Sequence, residues 1–520
     1  MIRKRTRLLI LALTLIMLFG SLLAADAGVS ATCETRGHLT ICGANDNDRT
    51  GYAVASGDVN GDGLDDVIIG AFRANGPDCQ RKFAGRVYVV FGPAGVNGMV
   101  DLASQADVVI YGADARDYAG SAVASGDVNG DGFADIVIAA EWADGPGNRR
   151  VECGDVYVVY GSDSITGTID LSTQADVVMY GPDIHDQIGT SLATGNVNDD
   201  PYADIVIGAE WADGLGPGHR REDAGEIYVV LGSNHLPSSM EMYGQADLII
   251  YGEEKGDHAG ESVAVGDLNG DQHGDIIVGA FWADGPHNTR PQAGGAYVVL
   301  SSEPFESRNY DLRTGADLTV FGADTQDRAG TSVASGDVNG DGYDDLLVGV
   351  GFADGPRNVR TWAGEVHVIL GSDSITNPAY MGSVDLRQQA DFTIYGADRG
   401  DRAGMSVASG DVNGDGCDEI IVGASFAAGP DNGQSKAGEA RVVMGSATVA
   451  TGTLDLASGD VLTICGADAG DQAGSSVTTG DVDGNGFDDI IVGANSADGP
   501  NDDREEAGEA YVISSQTVFP

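Results

Sequence analysis

The sequence predicts an all-β chain, a seven-bladed β-propeller of four-stranded blades closed by the N-terminal strand completing the last blade. Three observations carry that expectation. A short acidic loop recurs seven times at spacings of 69 to 74 residues, beginning at Asp58, Asp127, Asn196, Asp267, Asp337, Asp411 and Asp481. Each copy opens an aliphatic run, as Asp58-Val-Asn-Gly-Asp-Gly-Leu-Asp-Asp66 opens Val67-Ile-Ile69. Four strand-like segments recur in each repeat, and four-stranded units repeated radially build a propeller.

In the fifth repeat the segments span 330–336, 345–350, 364–370 and 391–395. They are short apolar or alternating runs bounded by Gly, Asp or Pro, which favours strands over helices. The first segment is rich in small residues throughout, as in Ala53-Val-Ala-Ser56 and Ser475-Ser-Val-Thr-Thr479. Small side chains suit seven strands crowding a common axis. The array opens on a lone fourth-type segment, Leu39-Thr-Ile-Cys42, and finishes on a third-type one, Gly508-Glu-Ala-Tyr-Val-Ile513. The last blade therefore lacks its outer strand, and Leu39–Cys42 is expected to pair with Ala510–Ile513, joining the ring and covering an exposed edge. The organisation expected is a signal peptide at 1–27, an N-terminal linker at 28–38, the propeller at 39–516 and a C-terminal tail at 517–520.

Composition narrows the function. The 520 residues carry 28 Lys and Arg against 80 Asp and Glu, a formal charge of −52, and Lys4, Lys82, Lys255 and Lys436 are the only lysines. A field of that size repels nucleic acid and anionic membranes. Arg3-Lys-Arg-Thr-Arg7, the apolar stretch 8–25 and Ala25-Asp-Ala27 stand in the order of a secretory signal peptide. An uncleaved N-terminal anchor is the alternative, because the apolar stretch approaches spanning length. No second long apolar run follows, so a secreted or cell-surface product without a membrane span in the mature chain is expected. Six cysteines (Cys33, Cys42, Cys79, Cys153, Cys417, Cys465) permit disulfides there without identifying them, and none has zinc spacing.

The loops suit a hard cation. Oxygen side chains at positions one, three, five and nine, a backbone carbonyl at seven and Gly at six match Ca2+ before Mg2+ or Zn2+. The candidate ligands are Asp58, Asn60, Asp62, Leu64 and Asp66 in the first loop, and Asp127, Asn129, Asp131, Phe133 and Asp135 in the second. The third offers Asn196, Asn198, Asp200, Tyr202 and Asp204, and the fourth Asp267, Asn269, Asp271, His273 and Asp275. Asp337, Asn339, Asp341, Tyr343 and Asp345 form the fifth; Asp411, Asn413, Asp415, Cys417 and Glu419 the sixth; Asp481, Asp483, Asn485, Phe487 and Asp489 the seventh. Up to seven Ca2+ are expected. The Asn196–Asp204 loop is the weakest, since Asn196 replaces the opening Asp and Pro201 fixes φ near about −65° where the turn needs a positive value. Three or four carboxylates in one short loop repel each other unless a cation offsets them.

The loops before the first strand and after the second fall on the opposite face. Trp142, Trp211, Trp282, Phe352 and Phe426 share one recurring position there. They are candidates to stack on a sugar or a protein side chain, or else wedges between blades. Asp117, Asp186, Asp257, Asp327, Asp401 and Asp471 form a second column on the same face. Arg399-Gly-Asp401 falls on that column and reads as a product of the repeat. Catalysis finds little support, because the eight His residues do not recur as a column and no Ser or Cys nucleophile is placed with His185 or His258.

Phe321-Gly322, Val348-Gly349 and the loop Asp337–Asp345 resemble the FG-GAP repeat found in the seven-bladed propeller of integrin α subunits, over about Leu39 to Ser514. The resemblance implies a Ca2+-binding propeller outside the cell, serving adhesion or recognition, with metal loops joining the first and second strands of a blade. Integrin α subunits fill only some blades with such loops, whereas all seven have one here. Their leg domains and membrane span are not expected in this chain, so pairing with a β subunit is not carried over. The expected function is an exported, non-enzymatic and monomeric recognition or adhesion module with an extracellular protein or glycan ligand. A secreted polysaccharide-active enzyme on a propeller scaffold, or a structural surface-layer component, is the alternative.

Overall fold

Each aliphatic run behind an acidic loop is a strand buried along its whole length: Asp66–Ala71, Asp135–Ala140, Asp204–Ala209, Asp275–Ala280, Asp345–Val350, Glu419–Ala424 and Asp489–Ala494. The computed structural model describes residues 33–34, 39–92, 98–214, 221–301, 309–373, 375, 382–429, 432–447, 452–458 and 461–518. The signal-peptide segment lies outside them. In the first blade the buried strand pairs antiparallel with Thr50–Gly57 on its inner side and Arg86–Val90 on its outer side, and Val108–Tyr111 follows. The same order recurs in seven sheets.

Blades of four strands were expected, and each sheet has five. The fifth comes from the following repeat, whose chain crosses back between its own third and fourth strands. Gly167–Asp170 thus lies parallel on Val108–Tyr111, and Ser383–Asp385 on Leu318–Phe321. The added strand covers an edge whose N–H and C=O groups would otherwise face water. In the sixth blade the position is taken by Cys33–Glu34, parallel to Leu462–Cys465, so the expected 28–38 linker contains a short strand.

Arginines hold these donated strands in place. Arg81, Arg150, Arg221, Arg290, Arg360 and Arg504 pair with Asp170, Glu241, Asp311, Asp385, Asp455 and Asp101. Each also donates to a main-chain carbonyl beside its own blade's fourth strand, Ala113 O for Arg81 and Gly43 O for Arg504. Gln434 stands in the sixth blade and donates to Ala467 O (2.9 Å).

Leu39–Cys42 runs antiparallel to the last repeat's third strand, with Leu39 opposite Val512 and Cys42 opposite Glu509. The seven innermost strands touch in sequence around the axis, the last against the first. Hydroxyls link them: Ser335 Oγ donates to Val265 O (3.0 Å), Ser409 Oγ to Ser335 O (2.6 Å) and Thr479 Oγ1 to Ser409 O (2.9 Å). Small side chains therefore let the strands approach and bond. The core lies between blades, one wedge per pair; Val67, Ile69 and Tyr88 of the first blade pack on Ile491, Val512 and Ile41 of the seventh. Ser515–Val518, in part the expected tail, is a single helical turn with Val518 against the last wedge. Among the described residues no helix is long and apolar enough to cross a membrane. Cys465 is disulfide-bonded, while Cys42, Cys79, Cys153 and Cys417 are free thiols.

Candidate metal loops and ligand face

The seven acidic loops form a ring on one face. In each, the main-chain N–H of position eight donates to the carbonyl of position one in the preceding loop: Ala134 to Asp58, Asp344 to Asp267 and, across the closure, Asp65 to Asp481 (2.9, 3.0 and 3.0 Å). Position seven was expected to matter only through its carbonyl. Its side chain has a second task. Phe133, Tyr343 and Phe487 lie over Gly61, Gly270 and Gly414, the fourth residues of the preceding loops, where a Cβ would collide with the ring.

Inside a loop the first carboxylate organises the turn. Asp58 Oδ1 accepts from Gly61 N (2.6 Å) and Asp62 N (3.0 Å), and Oδ2 from Gly63 N (2.9 Å). Asn60 Oδ1 and Asp62 Oδ1 accept from Asp62 N and Leu64 N. The second, fourth and sixth loops repeat the pattern around Asp127, Asp267 and Asp411. The fifth and seventh repeat most of it around Asp337 and Asp481. Gln272 takes the glycine's part in the fourth loop at φ 71°.

The ninth residue is the buried one. Asp66 Oδ2 accepts from Val59 N (2.9 Å) and Oδ1 from Gly92 N (2.8 Å). Burial pushes this carboxyl up to about 7 in Asp66, Asp135, Asp204, Asp275 and Asp345, to about 8 in Glu419 and to about 6 in Asp489. A nearby cation is what returns such a group to its charged form. Among the described residues, three carboxylates converge within 4.8 Å of one another in the seventh loop alone, at Asp481, Asp483 and Asp489. There the C-terminal turn adds Ser514 Oγ, donating to Asp483 Oδ2 (2.7 Å), and Ser515 Oγ, accepting from Asn485 Nδ2 (3.0 Å). By residue chemistry six loops suit a hard oxygen-ligated ion, and among the described residues the seventh alone also brings three carboxylates together.

The third loop is wired differently. Asn196 turns its amide nitrogen onto Asp200 O, and Asn198 Nδ2 donates to Asp200 Oδ2 (3.0 Å). Asp199 replaces the glycine of position four at φ 56°, and His273 of the next loop sits beside it, Nε2 4.0 Å from Asp199 Oδ2. The aromatic-on-glycine contact becomes a His–Asp contact.

On the opposite face the Asp column is not a ligand surface. Asp117, Asp186, Asp257, Asp327, Asp401 and Asp471 are 5 to 8 % exposed. Asp401 Oδ2 accepts from Asp398 N (3.0 Å), and Asp257 Oδ2 from Glu254 N (3.1 Å), so the column caps turns. Burial pushes Asp186, Asp257 and Asp327 up to about 7. Asp401 in Arg399-Gly-Asp401 therefore faces inward.

The residue after each column Asp, and after Asp48 at the same position of the first blade, packs beside this face: His258 is 8 % exposed and the other six are half-buried. Arg49, Tyr118, Gln187, His258, Arg328, Arg402 and Gln472 all take φ between 52° and 60°. From there they interleave with the aromatic column. His258 meets Trp211 (4.6 Å between ring centroids) and Trp282 (5.9 Å). Arg328 Cζ lies 4.5 Å from the Trp282 ring and 4.6 Å from Phe352; Arg402 Cζ lies 4.8 Å from Phe352 and 4.2 Å from Phe426. Trp142 and Trp211 are 41 and 44 % exposed, while Trp282, Phe352 and Phe426 are half-buried against the side chains of Arg328 and Arg402. Glu141 accepts from Trp142 Nε1 (2.9 Å), Glu210 lies 3.6 Å from His258 Nδ1, and Glu261 neighbours both carboxyls. Burial pushes Glu141 up to about 7, and burial with Glu210's charge pushes Glu261 up strongly. Sequence reasoning missed this interleaving column, although its position directly after a recurring Asp was a usable signal.

The FG-GAP repeat model matches residues 50–90, 119–159, 259–299, 329–369, 403–442 and 473–513. Bovine phosphatidylinositol-glycan-specific phospholipase D is 28 % identical over 387 residues, covering 72 % of this chain and 43 % of the relative. Integrin alpha pat-2 of Caenorhabditis elegans is 32 % identical over 256 residues, covering 46 % of this chain and 18 % of the relative. The chain spans less than half the length of these relatives. The blade outside the matched segments is the third, whose loop carries Asn196 and Pro201. With six matched repeats inside a seven-bladed ring, the chain belongs to the FG-GAP repeat family.

Proposed function

We propose that the chain is an exported recognition or adhesion module, stabilised by Ca2+ in its acidic loops, whose ligand meets the face away from them. The observation that carries this reading is the arc of alternating aromatic and cationic side chains on that face. Packing alone does not explain it, because Trp142 and Trp211 stay exposed and the Arg328 and Arg402 guanidinium groups lie against rings with no carboxylate partner among the described residues. The integrin likeness supports recognition outside the cell. Asp58, Asn60, Asp62, Asp66 and the Leu64 carbonyl would hold the ion in the first loop, their counterparts doing so elsewhere. The ion supplies charge that offsets the clustered carboxylates, and the third loop is expected to hold it least well.

The test is a binding screen over glycan and protein panels with Ca2+ present. Alanine at Trp142, Trp211 and Trp282 is expected to abolish binding while the Ca2+-dependent melting persists. Binding that survives the triple change would refute this face as the site. The phospholipase relatives favour an enzymatic role as the second reading; release of a glycosylphosphatidylinositol-anchored reporter, absent from a buffer control, would support it.

A further inference from the structure

We propose that Arg328 and Arg402 form a docking point for the carboxylate or sulfate groups of an acidic polysaccharide. The inference rests on the reading that ligands meet this face, and it names their chemistry.

What sets Arg328 and Arg402 apart is their surroundings: each guanidinium lies against two aromatic rings, and the two share one of them. Neighbouring arginines follow the expected habit: Arg290, Arg360 and Arg387 hold Asp385, Asp455 and Asp324. Among the described residues, the guanidinium groups of Arg328 and Arg402 make no hydrogen bond and no ion pair; they contact aromatic rings. Both pack on Phe352, bringing two like charges to one ring. Burial and the Arg328 charge hold Arg402 below its ordinary value, so the pair is costly as it stands. Each guanidinium lies against two rings and keeps its N–H donors without an acceptor among the described residues, and such donors suit a planar oxyanion in bidentate fashion. The stacked side chains have already given up their rotamer freedom, which lowers the cost of binding.

The arc favours a repeating polymer over an isolated anion. Arg328 and Arg402 sit on consecutive blades, and Lys436 continues the line, its Nζ 5.4 Å from Phe426. Trp362, 50 % exposed with its ring 5.6 Å from Arg402, offers a flat surface for the C–H face of a sugar ring. The acidic loops lie on the far face, beyond a Debye length of about 8 Å at physiological salt.

Calorimetry on the Ca2+-loaded full chain tests the proposal with four probes: oligogalacturonate, a heparin-derived hexasaccharide, a neutral maltohexaose and poly-glutamate. One or both acidic glycans are expected to bind, less tightly as salt rises. The Arg328→Gln/Arg402→Gln variant should weaken them about tenfold or more with an unchanged melting temperature, and Arg328→Lys/Arg402→Lys should fall between. Equal binding by wild type and the Gln variant, equal binding of maltohexaose or poly-glutamate, or no binding of either acidic glycan would overturn the proposal. Glycan binding that survives the Arg changes but is lost with the tryptophan changes would sink this inference alone. Binding that survives both would sink the face itself.

Discussion

Gly322 and Gly349, which carry the family resemblance, sit where the backbone leaves no room for a side chain. A Cβ at Gly322 would overlap the carbonyl of Ala293, and one at Gly349 would overlap Gly404 O and Ser332 Oγ. Gly322→Ala is therefore expected to cost about 3 kcal/mol in urea denaturation, because rigid backbone must move; a change within experimental error would contradict the close approach. Asp155 allows a sharper test. Burial pushes its carboxyl up to about 8, while the unfolded chain releases that proton near 3.8. The folded state thus binds more protons between those values, and this group's contribution to stability falls as pH rises through the window. Asp155→Asn, which keeps an acceptor for Tyr157 Oη, should raise the melting temperature at pH 8.5 and raise it less at pH 5. An equal gain at both would exclude titration as the cause. The Asp column shows what residue types conceal: a recurring carboxylate reads the same whether it meets a ligand or caps a turn. Only burial separates the two.

Between neighbouring strands, the fifth strand of every sheet was invisible in the sequence for a physical reason. Ser383-Val-Asp385 and Asn309-Tyr-Asp311 are three residues long, too short for any period-two pattern to register. What holds them is a distant arginine, and pairs such as Arg290 and Asp385, separated by 95 positions, leave no local trace. The main strands were legible because each combines an aliphatic run with a turn signal at a fixed offset. Arg290→Ala should cost about 2 kcal/mol, since it removes a charged bond to Asp385 and one to the Gly322 carbonyl. Hydrogen exchange is then expected to rise first at Ser383–Asp385; uniform exchange across the blade would contradict the clip. Ser335→Ala, which deletes one inter-blade hydroxyl bond, should cost only about 1 kcal/mol.

Over the whole ring, closure was readable because Leu39-Thr-Ile-Cys42 repeats Leu462-Thr-Ile-Cys465 letter for letter, marking a fourth strand without its blade. The face of alternating aromatic and basic side chains was half legible: its aromatic column stood out, but the Arg and His that interleave with it come from the neighbouring repeat and meet it only in space. Closure also makes the acidic loops one circuit, since the hydrogen bonds from position eight to position one run through all seven blades. Ions bound in adjacent loops would therefore stabilise a shared structure, and melting is expected to respond to Ca2+ as a single cooperative transition. Calorimetric melting of the chelator-stripped full chain across a Ca2+ titration is the most direct measurement. The melting temperature is predicted to climb by about 10 °C or more in a saturable way, with Mg2+ far less effective. A melting temperature unmoved by Ca2+ would contradict a propeller built around its acidic loops.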